Sequence, residues 1–149
     1  KKIPKYLIIT KNLNAKYFAQ INKKISESNF SNKIILLENI DSKKISDLYK
    51  NSSLYIFSSY CEVFGLTNLE AMIYGIPVLT SNKSAIPEIC GKAAKYFDPL
   101  DPIDIKNKII DVYNDGYQKQ TMIDYGKKQV TKYSWLKTYR ETMAVILEA

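Results

Sequence analysis

The 149-residue chain has no histidine, and its two cysteines, Cys61 and Cys90, show no CxxC spacing. Those absences exclude zinc sites and Cys-His or Ser-His-Asp catalysis. Carboxylates, hydroxyls, amines or backbone groups must therefore carry any chemistry. No apolar run approaches the ~20 residues that a membrane-spanning helix needs, and the N-terminus has no signal-peptide pattern. A cytoplasmic, reducing setting is expected. No internal repeat, low-complexity tract or flexible linker interrupts residues 1–149, which are expected to form a single domain. The start KKIPKY, without Met, suggests that something upstream has been cut away.

With 46% hydrophobic and 25% charged residues, the chain can bury a core. Its net charge of +7 suits anionic partners or a merely solvated surface. Nucleic acid is not expected, because no RNP, KH or helix-turn-helix pattern is present. Basic charge is also compatible with peripheral association at an anionic inner membrane face.

Apolar, β-forming runs recur at Tyr6 to Thr10, Lys33 to Leu37, Leu54 to Phe57, Pro77 to Thr80 and Lys95 to Phe97. Helical spacing lies between them at Ala15 to Ile25, Lys43 to Lys50, Thr67 to Tyr74 and Ile86 to Cys90. Short apolar strands alternating with helices predict an α/β, Rossmann-like three-layer fold, with a parallel sheet covered on both faces. After Asp98 a helical tail is expected, at Ile103 to Tyr113, Tyr117 to Lys132 and Trp135 to Leu147, broken at Asp115-Gly116 and Tyr133-Ser134.

The stretch CEVFGLTNLEAMIYGIPVLTSN, Cys61 to Asn82, places Glu62 just before a helix and Glu70 inside it. Locally, Thr67 to Glu70 fits a capping box, Gly75 a C-terminal cap and Pro77 a stop. The turn from Phe64 to Thr67 also follows a strand, at the carboxyl end where ligands bind in open parallel sheets. Free amides and partial positive charge at a helix start suit a diphosphate, and Gly65 permits close approach. Carboxylates on either side are strong acceptors for the hydroxyls of sugar rings. The order hydroxylated ring, diphosphate, hydroxylated ring describes a nucleotide sugar.

The run from Glu62 to Asn82, continuing through Ala85-Ile86-Pro87-Glu88, Gly91-Lys92-Ala93-Ala94, Phe97-Asp98-Pro99 and Tyr133-Ser134-Trp135, resembles the C-terminal, donor-binding domain of family 4 retaining glycosyltransferases of the GT-B fold. The resemblance spans nearly the whole chain. It implies an enzyme, a hexosyltransferase of polysaccharide or glycolipid biosynthesis, that uses a UDP- or GDP-linked sugar without metal or cofactor. It further implies Glu62 as the catalytic residue, its carboxylate contacting hydroxyls of the donor sugar, with Val63 and Phe64 beside it. The amides of Phe64, Gly65, Leu66 and Thr67 would hold the phosphates, Glu70 the ribose, and Glu38, Asn39 and Ile40 the base. The acceptor would bind a separate N-terminal domain, so this fragment alone is expected to be inactive.

The chain departs from the family pattern at two points. Val63 stands where the family usually has glycine, and the family's first strand-helix unit, with its cationic diphosphate clamp, is absent. Lys11 or Lys83 could stand in for that clamp. Asn82, Lys83 and Ser84 could reach a donor hydroxyl or form a plain surface loop. Cys61, with no basic neighbour, reads as a pocket-wall or core residue and not as a nucleophile. These departures leave a second reading, a degenerate binding or interaction module that keeps the fold without catalysis.

Overall fold

The computed structural model describes residues 6–10 and 14–148. Their elements fall within two residues of the expected ranges, with two added 3₁₀ turns at Ser31–Lys33 and Gly91–Ala93. The chain divides into two compact units between Leu48 and Tyr49.

In the first unit, β1 (Tyr6–Thr10) and β2 (Ile34–Glu38) pair in parallel, Tyr6 opposite Ile34 and Thr10 opposite Glu38. Between them in sequence, α1 (Ala15–Ser26) is capped by Asn14, whose Oδ1 accepts the Tyr17 N–H at 3.0 Å. Asp41 Oδ1 accepts the Lys43 N–H at 2.8 Å as α2 (Ser42–Lys50) begins. The last turn of α2 carries the division, so Tyr49 and Lys50 belong to the second unit.

The second unit holds a three-stranded parallel sheet in the order β3 (Tyr55–Phe57), β4 (Val78–Ser81), β5 (Ala94–Phe97). All four residues of β4 are buried. Because alternate strand residues point to opposite faces, Val78 joins Met72, Ile86 and Ile89 in one cluster, and Leu79 joins Phe97, Val112 and Met122 in another. The first face is covered by α3 (Leu66–Ile73) and α4 (Ile86–Cys90), the second by α5 (Pro102–Asn114) and the start of α6 (Gly116–Val130). This is the expected three-layer arrangement. Each large side chain so buried contributes roughly 1.5–3 kcal/mol.

The tail helices begin where side chains can cap them. Asp101 Oδ1 accepts from Ile103 and Asp104 N–H groups at 2.8 and 3.2 Å, and Asp115 Oδ1 from Gln118 N–H at 2.8 Å. A Cβ on Gly126 would lie 3.2 Å from Met72 Cβ and Cγ, so this glycine lets α6 lie close against α3. Ser134 Oγ accepts the Lys137 N–H at 3.1 Å as α7 (Trp135–Glu148) starts, and α7 buries none of its residues. Among the described residues no helix is long and apolar enough to cross a membrane.

Candidate functional site

The site lies at the carboxyl end of the three-stranded sheet, where residues 58–65 lead from β3 into α3. Gly65 is the N-cap of α3, with φ 79° and ψ 48° in the left-handed region. A Cβ there would stand 2.9 Å from Asn68 Nδ2 and 3.4 Å from Glu62 Cγ. Backbone conformation and available space both select glycine. The same distances show that the Glu62 side chain folds against the start of the helix.

The expected capping box does not form. The helix begins at Leu66, so Thr67 lies inside the first turn instead of capping it, and Glu70 lies beyond reach of a cap. Asn68, fully buried, takes over the local bonding: its backbone N–H and its Nδ2 both donate to the Gly65 carbonyl, at 3.0 and 3.2 Å. The amides of Leu66 and Thr67 have no acceptor among the described residues, as the first turn of a helix requires. They form the positive end of the α3 dipole. Glu62, half-buried, makes no hydrogen bond or ion pair among the described residues.

Phe64 turns its ring into the protein, edge-on to Tyr133 with centroids 5.4 Å apart. Tyr133 Oη in turn donates to the Ile89 carbonyl at 3.2 Å. Phe64 therefore offers this site its backbone and not its ring. Val63 is 91% exposed and lies outside the left-handed region, so the backbone at this position does not require the family's glycine.

Glu70 is held from the side. Tyr49 Oη donates to Glu70 Oε2 at 3.1 Å, while the Tyr49 ring stacks on Tyr74 with centroids 5.2 Å apart. Burial, with the nearby Tyr55 and Glu70 adding, pushes the Tyr49 hydroxyl far above its ordinary value, so it remains a proton donor. Burial likewise pushes Tyr55 up to about 12. Sequence patterns did not disclose Tyr49 or Tyr74, whose contacts join separate elements.

The segment after β4 is tied down on both sides. Ser84, in the left-handed region at φ 55°, donates its hydroxyl to the Tyr60 carbonyl at 3.3 Å. Lys83 Nζ pairs with Asp98 Oδ2 at 3.2 Å. The Leu100 N–H and Lys83 hold the Asp98 carboxyl below its usual range. The Lys83 ammonium is thus engaged on Asp98, which disfavours it as a diphosphate clamp; Lys11 lies outside the described residues. Cys61 is exposed and so is not a core residue, whereas Cys90 is buried and its thiol is pushed up to about 11 by that burial.

The structure therefore brings Glu62, Phe64, Gly65, Leu66 and Thr67 together, with Glu70 farther along α3. Glu38 ends β2 in the other unit, and Asn39, at φ 48°, and Ile40 follow it.

The family model described as Glycosyl transferases group 1 matches residues 5–129. The chain belongs to this family, and its fold is of the GT-B type. It is 34% identical over 88 residues to the O-antigen chain mannosyltransferase B of Escherichia coli, a match covering 59% of this chain and 23% of that protein. Anabaena HepE, solved in complex with UDP, superposes with a TM-score of 0.83 at 17% identity, covering 97% of this chain and 41% of that one. The C-terminal domain of a glycosyl transferase group 1 family protein from Francisella tularensis gives a TM-score of 0.69 at 24% identity, covering 79% and 62%. At these identities the solved structures establish the fold. The chain spans about a quarter or less of the length of the E. coli relatives it matches.

Proposed function

We propose that this chain is the donor-binding, C-terminal half of a family 4 retaining glycosyltransferase that builds a polysaccharide or glycolipid. Its ligand is a UDP- or GDP-linked hexose. One observation carries the reading: the Glu62 carboxyl stands against a left-handed Gly65 turn, and neither it nor the following amides of Leu66 and Thr67 has a partner among the described residues. Such a group of donors suits a diphosphate, and the adjacent carboxyl suits sugar hydroxyls. Support also comes from the E. coli mannosyltransferase and from the solved HepE complexes with UDP and UDP-glucose.

In this reading the amides of Phe64, Gly65, Leu66 and Thr67 hold the diphosphate. Glu62 orients the donor sugar beside the Val63-Phe64 backbone, and Glu70, steadied by Tyr49, binds the ribose. An acceptor hydroxyl attacks the anomeric carbon, and the nucleoside diphosphate leaves. The α3 amides stabilise the charge growing on the departing oxygen, as preorganised dipoles do. Glu62 positions the sugar and does not attack it. No metal or cofactor enters the scheme. The acceptor side is no part of these 149 residues in this reading, and the isolated chain is not expected to transfer sugar.

Val63, at the family's glycine position, favours a second reading, a non-catalytic module with the same fold. Calorimetry with UDP, GDP and their hexose conjugates, on wild type and Glu70→Ala, separates the two. A donor domain binds one nucleotide series and weakens on loss of Glu70. A chain that binds none of them is the module.

A further inference from the structure

The 3₁₀ turn Gly91–Ala93 enters β5 at its amino end, whereas the site above follows the carboxyl end of β3. That turn, the last turns of α6 and Lys132 just beyond them line a half-open cavity of about 420 Å³. Tyr125, Lys128, Gln129 and Lys132 line it at helical spacing, and Lys92 faces them from the turn. No carboxylate contributes to the lining.

The cavity is held by a buried anchor. Gln129 is only 7% exposed; its Nε2 donates to the Ile89 carbonyl at 2.6 Å, and its Oε1 accepts from Lys132 Nζ at 2.8 Å. The Lys132 ammonium is therefore fixed at the cavity and still has donors to spare. Gly91, at φ 53°, packs closely on this anchor: a Cβ would lie 3.4 Å from the Gln129 amide, while its N–H donates to the Pro87 carbonyl and its carbonyl accepts from Tyr96 Oη at 2.6 Å. Lys92 and Lys128 are exposed and form no ion pair among the described residues. Asp124, one turn before Lys128, accepts instead from Gln120 Nε2 at 3.1 Å. Lys128 and Lys92 each lie at a helix C-terminus, where cations complement the dipole, but they come from different elements and converge on one cavity.

We propose that this cavity binds a multiply charged phosphate, a pyrophosphate or a phosphate ester. Lys92, Lys128 and Lys132 supply the charge, and the Tyr125 ring forms an apolar wall for the group the phosphate carries. The cavity is larger than a bare phosphate needs and falls in the size range of small-molecule pockets. The site is independent of the sugar-donor reading, because it uses none of the same residues.

The test is titration of the ¹⁵N-labelled chain with sodium pyrophosphate at low ionic strength, with sodium chloride matched for ionic strength as control. Amide shifts at residues 91–93 and 125–132 report this cavity, and those at 64–67 report the other site. The Lys92→Gln/Lys128→Gln double variant is expected to weaken the cavity response about tenfold or more, as loss of two nearby charges implies. Its spectrum also shows whether it remains folded, and the wild-type shift map decides the question if it does not. Sedimentation with phosphatidylcholine vesicles, with and without phosphatidylglycerol, identifies the source. Pyrophosphate binding without vesicle recruitment marks a soluble phosphate. Vesicle recruitment that the double variant loses marks a lipid headgroup. No shift at 91–93 beyond the chloride control together with no vesicle recruitment, or responses that the folded double variant retains in full, overturns the proposal.

Discussion

Tyr49 and Glu70 are 21 residues apart in sequence, yet the tyrosine hydroxyl donates to the carboxyl at 3.1 Å. The stacked Tyr74 ring limits how far Tyr49 can turn. Tyr49→Phe keeps the stack and removes the donor. It is expected to cost about 0.5–1.5 kcal/mol of stability, the usual worth of one hydrogen bond. In the proposed function it also weakens nucleotide binding, by less than Glu70→Ala does. Urea denaturation and calorimetry with UDP and GDP check the two effects; a nucleotide affinity unchanged in both variants would remove Glu70 from the site.

Gly65 invites a sharper test. Alanine there must hold a left-handed backbone, at about 1–2 kcal/mol, and must push aside Asn68 Nδ2, 2.9 Å from the new Cβ. Because Asn68 braces the first turn through the Gly65 carbonyl, Gly65→Ala is expected to lower the urea midpoint and disturb the amides of residues 64–67. An unchanged midpoint would show that the turn relaxes freely.

Lys83 and Asp98 set a pH dependence. The folded Asp98 carboxyl lies below its ordinary value, through the Leu100 N–H and then Lys83. Its contribution is therefore fully present above the ordinary carboxylate range, about pH 4, and is lost as pH falls through the lower folded value. Asp98→Asn is expected to be less stable than wild type at about pH 7. The gap should close on acidification below about pH 4. Urea midpoints followed across pH test this; a gap that widens in acid would reverse the sign.

The two thiols should separate cleanly. Cys61 is exposed and Cys90 buried, and burial pushes the Cys90 thiol up to about 11, which keeps it protonated at neutral pH. A thiol reagent at neutral pH is expected to label Cys61 quickly and Cys90 only as the chain unfolds. Rapid labelling of both would mean that the α4 end of the core opens easily.

Periodicity made the strands and helices legible, because Val78 and Leu79 must face opposite layers and an unbroken apolar run records that. It also placed Glu62 and Gly65 beside a helix start. Thr67 and Glu70 have the spacing of a capping box, but the left-handed Gly65 starts the helix earlier and leaves Asn68 to brace it. Tyr49 on Glu70 and Lys83 on Asp98 stayed hidden for another reason. Each pair is assembled by packing between distant segments, and no local spacing encodes it.

The Ile89 carbonyl serves two donors, Gln129 Nε2 at 2.6 Å and Tyr133 Oη at 3.2 Å, and Tyr133 in turn backs Phe64. A single oxygen thus moors the close of α6 and, through one aromatic contact, the residue just ahead of Gly65. The loop that presents Glu62 owes part of its rigidity to a helix at the far side of the chain's sequence, so loosening α6 would slacken the loop without altering any residue in it.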